Sequence, residues 1–187
     1  PPLTDRAKCW EDQHMRDRWA SLLAVDDVVG AVYDRLAAAD ALATTYFFYS
    51  SDHGYKLGQW RVGTSKQHPY DTDVRVPFLV RGPGIAAGAT VPALAGNVDL
   101  LPTMLELMKV QHPQPVFASD GESLVPLLLG ETSLVPSGGA NATPRRARAM
   151  GWLYHDQWAW MTADGQYKLV GSPGPGQCDA ENNTVSG

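Results

Sequence analysis

The chain has 187 residues, enough to bury one sizeable hydrophobic core with a small appended subdomain. Apolar residues make up 44% of it, the formal net charge is -5, and there is no run of about 18 apolar residues. These values predict a globular protein that neither binds nucleic acid through a basic surface nor crosses a membrane within this sequence. Because the first residue is Pro1 rather than Met, we expect a mature product or a fragment.

The first half of the chain predicts a long helix followed by two strands. Within residues 16–39, apolar side chains recur at spacings of three and four, which is typical of an amphipathic helix. The apolar run at 44–49 predicts a strand, and residues 76–80 predict another that ends at a Gly-Pro-Gly turn. Because the first strand shows no alternation, we expect it to be buried on both faces between parallel neighbours. Few other segments could supply those neighbours, which also favours a fragment.

The second half predicts a helix, an irregular segment and a small sheet. Residues 99–108 carry an apolar stripe, and Asp99 is placed to cap the start of that helix. Three short β-type runs follow residue 147, and one of their joints contains the hairpin dipeptide Asp-Gly. We therefore predict an α/β portion at 1–134, a linker or surface loop at 135–146, and a small antiparallel β subdomain with a tail at 147–187.

Two side chains that can bind a metal come directly after the first predicted strand. Asp52 and His53 precede Gly54 at this strand end, which is where open α/β sheets bind their ligands. A carboxylate suits calcium or magnesium, and an imidazole beside it also suits zinc or manganese. Two adjacent ligands do not complete a coordination sphere. The alternative is an Asp that caps the next turn beside an exposed His.

Two further residues of the following loop could act on an anionic ester. The Lys66 ammonium could stabilise a negative ester oxygen in the transition state, and His68 could serve as a general acid. Each has a simpler alternative, because a loop lysine is commonly solvated and a loop histidine is commonly an exposed bystander.

The order and spacing of these residues resemble the sulfatase family, within the alkaline-phosphatase-like superfamily. The resemblance is to the second half of the sulfatase domain in the arylsulfatase and N-acetylglucosamine-6-sulfatase-like branch, and it covers residues 16–170. It implies an α/β sandwich with a mostly parallel sheet flanked by helices, to which residues 1–134 would contribute. The blocks that carry it are Val25-Asp26-Asp27, Ser51-Asp52-His53-Gly54, Lys66, Tyr70, Arg75-Val76-Pro77, Arg81-Gly82-Pro83-Gly84, Gly96 to Thr103 and Asp120 to Leu124.

The resemblance implies a role for three of the residues named above. Asp52 and His53 are similar to the family's late pair of calcium ligands, and Lys66 is similar to its sulfate-contacting lysine. The family's nucleophile is a formylglycine made from Cys in a Cys-x-Pro/Ala-x-Arg motif, and neither Cys9 nor Cys178 lies in such a motif. We therefore expect the nucleophile and the early metal ligands to be supplied from outside these 187 residues, which would be inactive alone.

The resemblance also implies a class of substrate, and the sequence indicates a cellular compartment. The expected substrate is a sulfate ester, either an aryl sulfate or a sulfated carbohydrate. Asn141 and Asn182 each begin an N-glycosylation acceptor triplet, which favours the secretory pathway: an extracellular, cell-wall or lysosome-like compartment. Two alternatives stay open: a zinc phosphodiesterase or phosphatase of the same superfamily, and a non-catalytic carbohydrate-binding remnant.

Overall fold

The computed structural model describes residues 2–110, 120–130, 150–154, 157–161 and 168–171. The chain divides into two compact units, Pro1–Gly84 and Ile85–Gly187. The predicted linker at 135–146 and the two glycosylation acceptors, Asn141 and Asn182, lie outside the described residues. In the described ranges, no helix has both the length and the apolar character that a membrane crossing requires.

Helix α1, Asp5–Ala38, begins well before the predicted start at residue 16. The Thr4 hydroxyl caps it by accepting the Ala7 N–H at 3.2 Å, and an acidic residue in the first turn complements the helix dipole. The helix ends in a Schellman motif around Asp40, which has a φ of 52°. There the Asp40 N–H donates to the Ala37 carbonyl and the Ala41 N–H donates to the Leu36 carbonyl. Local hydrogen bonding therefore sets both ends of α1.

The apolar stripe predicted within α1 is present on the helix but is not buried. No residue of α1 is buried, and Leu22 and Val28 are 46% and 63% exposed. The helix contacts the neighbouring strands near its C-terminal end, where the ring of Tyr33 lies 6.3 Å from that of Phe47. The Arg81 guanidinium lies 5.3 Å from the centre of the Tyr33 ring, within the range of a cation–π contact.

Gly30 lies in the exposed middle of α1, and a methyl group added there would meet no atom within 4 Å. Replacing it with Ala should stabilise the chain by about 1 kcal/mol, because Ala loses less backbone freedom than Gly in a helix. Urea unfolding followed by far-UV circular dichroism measures this change. The matched control is Ala31→Gly, which should destabilise the chain by a similar amount. A loss of stability in Gly30→Ala would contradict this picture of an open helix face.

Strands β1, Phe47–Ser50, and β2, Phe78–Arg81, form a two-stranded antiparallel sheet in which Phe48 is opposite Val80. The expected parallel pairing of the first strand is therefore not what the described residues form. The physical reason is partial exposure: β2 alternates between half-buried and exposed residues, and β1 is half-buried except at Tyr49. An antiparallel pair tolerates one solvated face, whereas parallel sheets are covered on both faces.

The described residues of the second unit include two α-helices and a three-stranded sheet. The first unit also contains a short helix α2, Asp71–Val74. The helices of the second unit are α3, Leu100–Leu107, and α4, Val125–Leu128. Strands β3, Met150–Tyr154, β4, Gln157–Met161, and β5, Lys168–Gly171, pair antiparallel in the order β3-β4-β5. The antiparallel sheet predicted near the C-terminal end is therefore present.

A buried polar network joins two of the blocks on which the family resemblance rests. Asp99 is fully buried, and its carboxylate accepts the Gly96 N–H and the Glu122 N–H, each at 2.9 Å. The sequence had predicted that the Asp99 side chain caps α3, and this prediction is wrong. The side chain instead ties the turn before α3 to a distant segment. The buried Thr103 hydroxyl extends the network by accepting the Leu124 N–H at 2.9 Å.

Candidate functional site

The structure brings together three of the four predicted site residues at the end of β1. The His53 Nε2 atom lies 3.3 Å from a carboxylate oxygen of Asp52, and the Lys66 Nζ atom hydrogen-bonds to the same Nε2. Asp52 is the more open of the two adjacent residues, with 84% of its side chain exposed against 37% for His53. One carboxylate, one imidazole and one ammonium therefore meet at a single partly open point.

The neighbours of His53 assign a donor role to its Nδ1 atom. This atom lies 2.8 Å from the Gly54 carbonyl oxygen, which only accepts, so Nδ1 is the donor. The Nε2 atom has two neighbours of opposite character: the Lys66 ammonium only donates, and the Asp52 carboxylate, 3.3 Å away, only accepts. When Nε2 carries no proton, its lone pair is the group through which an imidazole binds a metal.

Asp52 and His53 present a suitable pair of metal donors, a carboxylate oxygen and an imidazole nitrogen. The Lys66 ammonium already lies against the His53 Nε2 atom, next to the Asp52 carboxylate, so this position accepts positive charge. Among the described residues, no group of three or more His, Cys, Asp or Glu side chains is arranged to hold a metal ion. The pair therefore fits part of a divalent-cation site.

Gly54 fixes this pair on α2 by an unusually close approach of two backbone segments. Its N–H donates to the Asp73 carbonyl at 2.7 Å. A Cβ atom at this position would lie 1.9 Å from the Thr72 carbonyl oxygen, far inside contact distance. Only a residue without a Cβ fits here, so the glycine of the Asp-His-Gly sequence has a structural role.

The same unit contains a buried ion pair that the sequence did not predict. Lys56 is fully buried and Asp73 is 4% exposed, and the Lys56 Nζ atom lies 2.8 Å from a carboxylate oxygen of Asp73. Lysine and aspartate are almost never fully buried unless they are paired, but the partner depends on tertiary contacts that sequence spacing does not reveal.

His68, the fourth predicted site residue, belongs to this buried pair rather than to the Asp52 group. Its Nδ1 atom lies 3.1 Å from the Lys56 Nζ atom, and its backbone N–H donates to the Asp73 carboxylate at 2.9 Å. Its ring stacks on Tyr70, with 5.8 Å between centroids. His68 is therefore held in place by Lys56 and Asp73.

An open cleft of about 480 Å³ lies beside Asp52 and His53. Part of its wall comes from α1, where the Arg18 guanidinium lies 6.0 Å from the centre of the Tyr55 ring. The sequence did not predict this contribution, because nothing in the helical period shows which loop a helix will face. The remaining lining residues are His14, Asp17, Ser21, Ser51 and Gly54.

The fold of the chain is similar to that of solved hydrolases. A solved phosphonate monoester hydrolase from Silicibacter pomeroyi superposes with a TM-score of 0.55 at 25% sequence identity, over 79% of this chain and 32% of that one. Solved neighbours of this kind have the alkaline-phosphatase-like α/β fold, in agreement with the fold class expected from the sequence.

The family model described as Sulfatase matches residues 2–110, and the chain belongs to the sulfatase family of sulfuric ester hydrolases. Human N-acetylglucosamine-6-sulfatase is 40% identical over 133 residues, which are 71% of this chain and 24% of that protein. The extracellular sulfatase SULF-1 homolog of Drosophila melanogaster is 46% identical over 134 residues, which are 72% of this chain and 12% of that protein. The chain thus spans about a quarter or less of the length of these relatives.

Proposed function

We propose that this chain contributes the late metal ligands and the sulfate-contacting lysine to the active site of a sulfuric ester hydrolase. The observation that carries the proposal is the meeting of Asp52, His53 and Lys66 at one point after β1. Membership of the sulfatase family supports the assignment of this point to sulfate-ester chemistry.

In this proposal each of the three residues acts on negative charge. Asp52 and His53 would hold a divalent cation, for which we propose Ca²⁺, and the cation would neutralise the sulfate oxygens. The Lys66 ammonium adds a second positive charge beside it, which stabilises the charge that develops as the ester S–O bond breaks. His68, the general-acid candidate of the sequence, would stabilise the leaving alcohol oxygen by donating a hydrogen bond to it.

The nucleophile has to come from another segment or chain. A formylglycine requires a Cys-x-Pro/Ala-x-Arg motif, and Cys9, an exposed free thiol on α1, is followed by Trp10-Glu11-Asp12. Cys178 lacks the motif as well and lies outside the described residues. These 187 residues are therefore proposed to be a part of a sulfatase that does not turn over alone.

The proposed substrate is an aryl sulfate or a sulfated carbohydrate. Two relatives are named as an N-acetylglucosamine-6-sulfatase and an extracellular sulfatase, which supports a sulfated sugar and a compartment of the secretory pathway. The cleft beside Asp52 is lined by hydroxyl and charged groups together with the Tyr55 ring, a combination that suits a sugar. Glycosylation at Asn141 and Asn182 is proposed on the sequence pattern alone.

The test transfers the site into a complete enzyme. We expect these residues alone to hydrolyse p-nitrophenyl sulfate no faster than the blank with Ca²⁺. When they replace the matching 133-residue segment of the human relative, the hybrid should be active. In the hybrid, Lys66→Met should lower kcat/KM by about 10²–10³-fold, the usual effect of removing a transition-state donor. Asp52→Asn should also lower kcat/KM, because a neutral amide binds a divalent cation more weakly than a carboxylate does. The control is Asp34→Asn, an exposed acid on α1 outside the blocks that carry the family resemblance, which should leave kcat/KM unchanged.

Other outcomes of this experiment would favour the alternatives. Full activity in Lys66→Met would contradict the proposed role of this lysine. Two zinc ions per hybrid, with faster hydrolysis of a phosphate diester than of the sulfate, would support a phosphodiesterase, which the phosphonate monoester hydrolase neighbour makes worth testing. A hybrid that folds and binds sulfated sugar without turnover would support the carbohydrate-binding remnant.

A further inference from the structure

Lys56 and Asp73 are the most deeply buried charged pair in the described part of the chain. The exposed fractions of their side chains are 0% and 3%, and the two charged atoms lie 2.8 Å apart. Asp73 also accepts hydrogen bonds from the Thr72 hydroxyl at 3.0 Å and from the His68 N–H at 2.9 Å. Such a network is costly unless its members are satisfied, so its geometry is closely specified.

The pair holds the loop that carries Lys66 at two points. The Lys56 backbone N–H donates to the Ser65 carbonyl at 2.8 Å, which brings the residue next to Lys66 back against Lys56. The Lys56 ammonium also reaches the Nδ1 atom of His68 at 3.1 Å. One side chain thus links the buried acid to the candidate proton donor.

The contact between Lys56 and His68 has a chemical consequence. An ammonium group has three donors and no acceptor, so the Nδ1 atom of His68 must accept this hydrogen bond. The proton of the imidazole is then on Nε2. The result is the reverse of His53, whose Nδ1 donates to the Gly54 carbonyl.

We propose that Lys56 is a positioning residue that fixes His68 as the Nε2–H tautomer, so that His68 meets a substrate oxygen only as a donor through Nε2. The identity of that oxygen, the leaving alcohol of a sulfate ester, rests on the proposed function; the tautomer does not. With Nδ1 engaged by Lys56, His68 has no lone pair to offer a metal ion or a proton. It is therefore restricted to stabilising negative charge.

Long-range ¹H–¹⁵N correlation NMR on the full labelled chain measures the tautomer of His68 directly. Wild-type His68, assigned by its absence in His68→Asn, should show a pyridine-type Nδ1 and a pyrrole-type Nε2. His53 in the same spectrum should show a pyrrole-type Nδ1, because this atom donates to the Gly54 carbonyl. In the double variant Lys56→Met/Asp73→Asn, which leaves no unpaired buried charge, both His68 shifts should move towards the average of two tautomers.

A matched control separates this effect from a general loss of a lysine–aspartate pair. Lys8 and Asp5 form an exposed pair at 3.0 Å, and Lys8→Met/Asp5→Asn should leave the His68 shifts unchanged. A pyrrole-type Nδ1 in wild-type His68 would overturn the inference even if the double variant does not fold. Unchanged His68 shifts in a folded double variant would overturn it too. A sulfatase hybrid without turnover but with the expected tautomer would refute only the proposed function.

Discussion

Replacing Gly54 with Ala will destabilise the Pro1–Gly84 unit and displace His53 from its place above α2. The added methyl would lie 1.9 Å from the Thr72 carbonyl oxygen and 2.8 Å from the carbonyl carbon, so the two backbone segments have to move apart. That movement breaks the 2.7 Å hydrogen bond between the Gly54 N–H and the Asp73 carbonyl. Overpacking typically costs about 1–3 kcal/mol, and loss of this hydrogen bond adds to it.

Urea unfolding measures the free-energy change, and the ¹⁵N shifts of His53 report its displacement. The matched control is Gly63→Ala in the same loop region, where an added methyl meets no atom within 4 Å and stability should change by no more than about 0.5 kcal/mol. If Gly54→Ala were as stable as Gly63→Ala, the close approach of the Asp52–Gly54 segment to α2 would be wrong.

Replacing Asp99 with Ala should remove much of the stability of the unit that contains α3. The fully buried carboxylate accepts backbone N–H groups from Gly96 and Glu122, and Ala leaves both without this acceptor. Both hydrogen bonds are partly buried, and an N–H that loses its acceptor costs up to about 1–3 kcal/mol, a large part of the roughly 5–15 kcal/mol that stabilises a typical domain. Thermal and urea unfolding of the full chain would measure the loss.

Two further variants make the Asp99 prediction specific. Asp99→Asn keeps one acceptor oxygen and should lose less stability than Asp99→Ala. Glu106→Ala removes an exposed acid from α3 and should change stability by no more than about 0.5 kcal/mol. An Asp99→Ala chain as stable as Glu106→Ala would contradict the bridge between the turn at Gly96 and the segment at Glu122.

The family could be predicted because its evidence is local. Asp52-His53-Gly54, Lys66 and the block at Arg75-Val76-Pro77 keep a fixed order and spacing, and order and spacing are properties of the chain itself. The family match over residues 2–110 confirms this prediction. The roles of Asp52, His53, Lys66 and His68 stay predictions, which the hybrid enzyme and the NMR measurements are designed to test.

Pairing and burial could not be predicted in the same way. The apolar character of β1 suggested parallel neighbours, but its described partner, β2, runs antiparallel and leaves alternate residues exposed. Likewise, the start of α1 was placed too late because the cap at Thr4 is a single polar residue outside the apolar stripe. Hydrophobic period identifies a helix or a strand, whereas its ends and partners depend on individual hydrogen bonds.

The order and spacing of several blocks, among them Asp-His-Gly after β1 and the lysine beyond it, identified the sulfatase family from the sequence alone, because each family marks its site by residue types at set intervals. Only the tertiary structure decided that Lys66 meets His53 while His68 turns to Lys56 and Asp73. The physical reason is that a charged side chain is buried only where partners from other segments satisfy it. Those partners come together only when the chain folds.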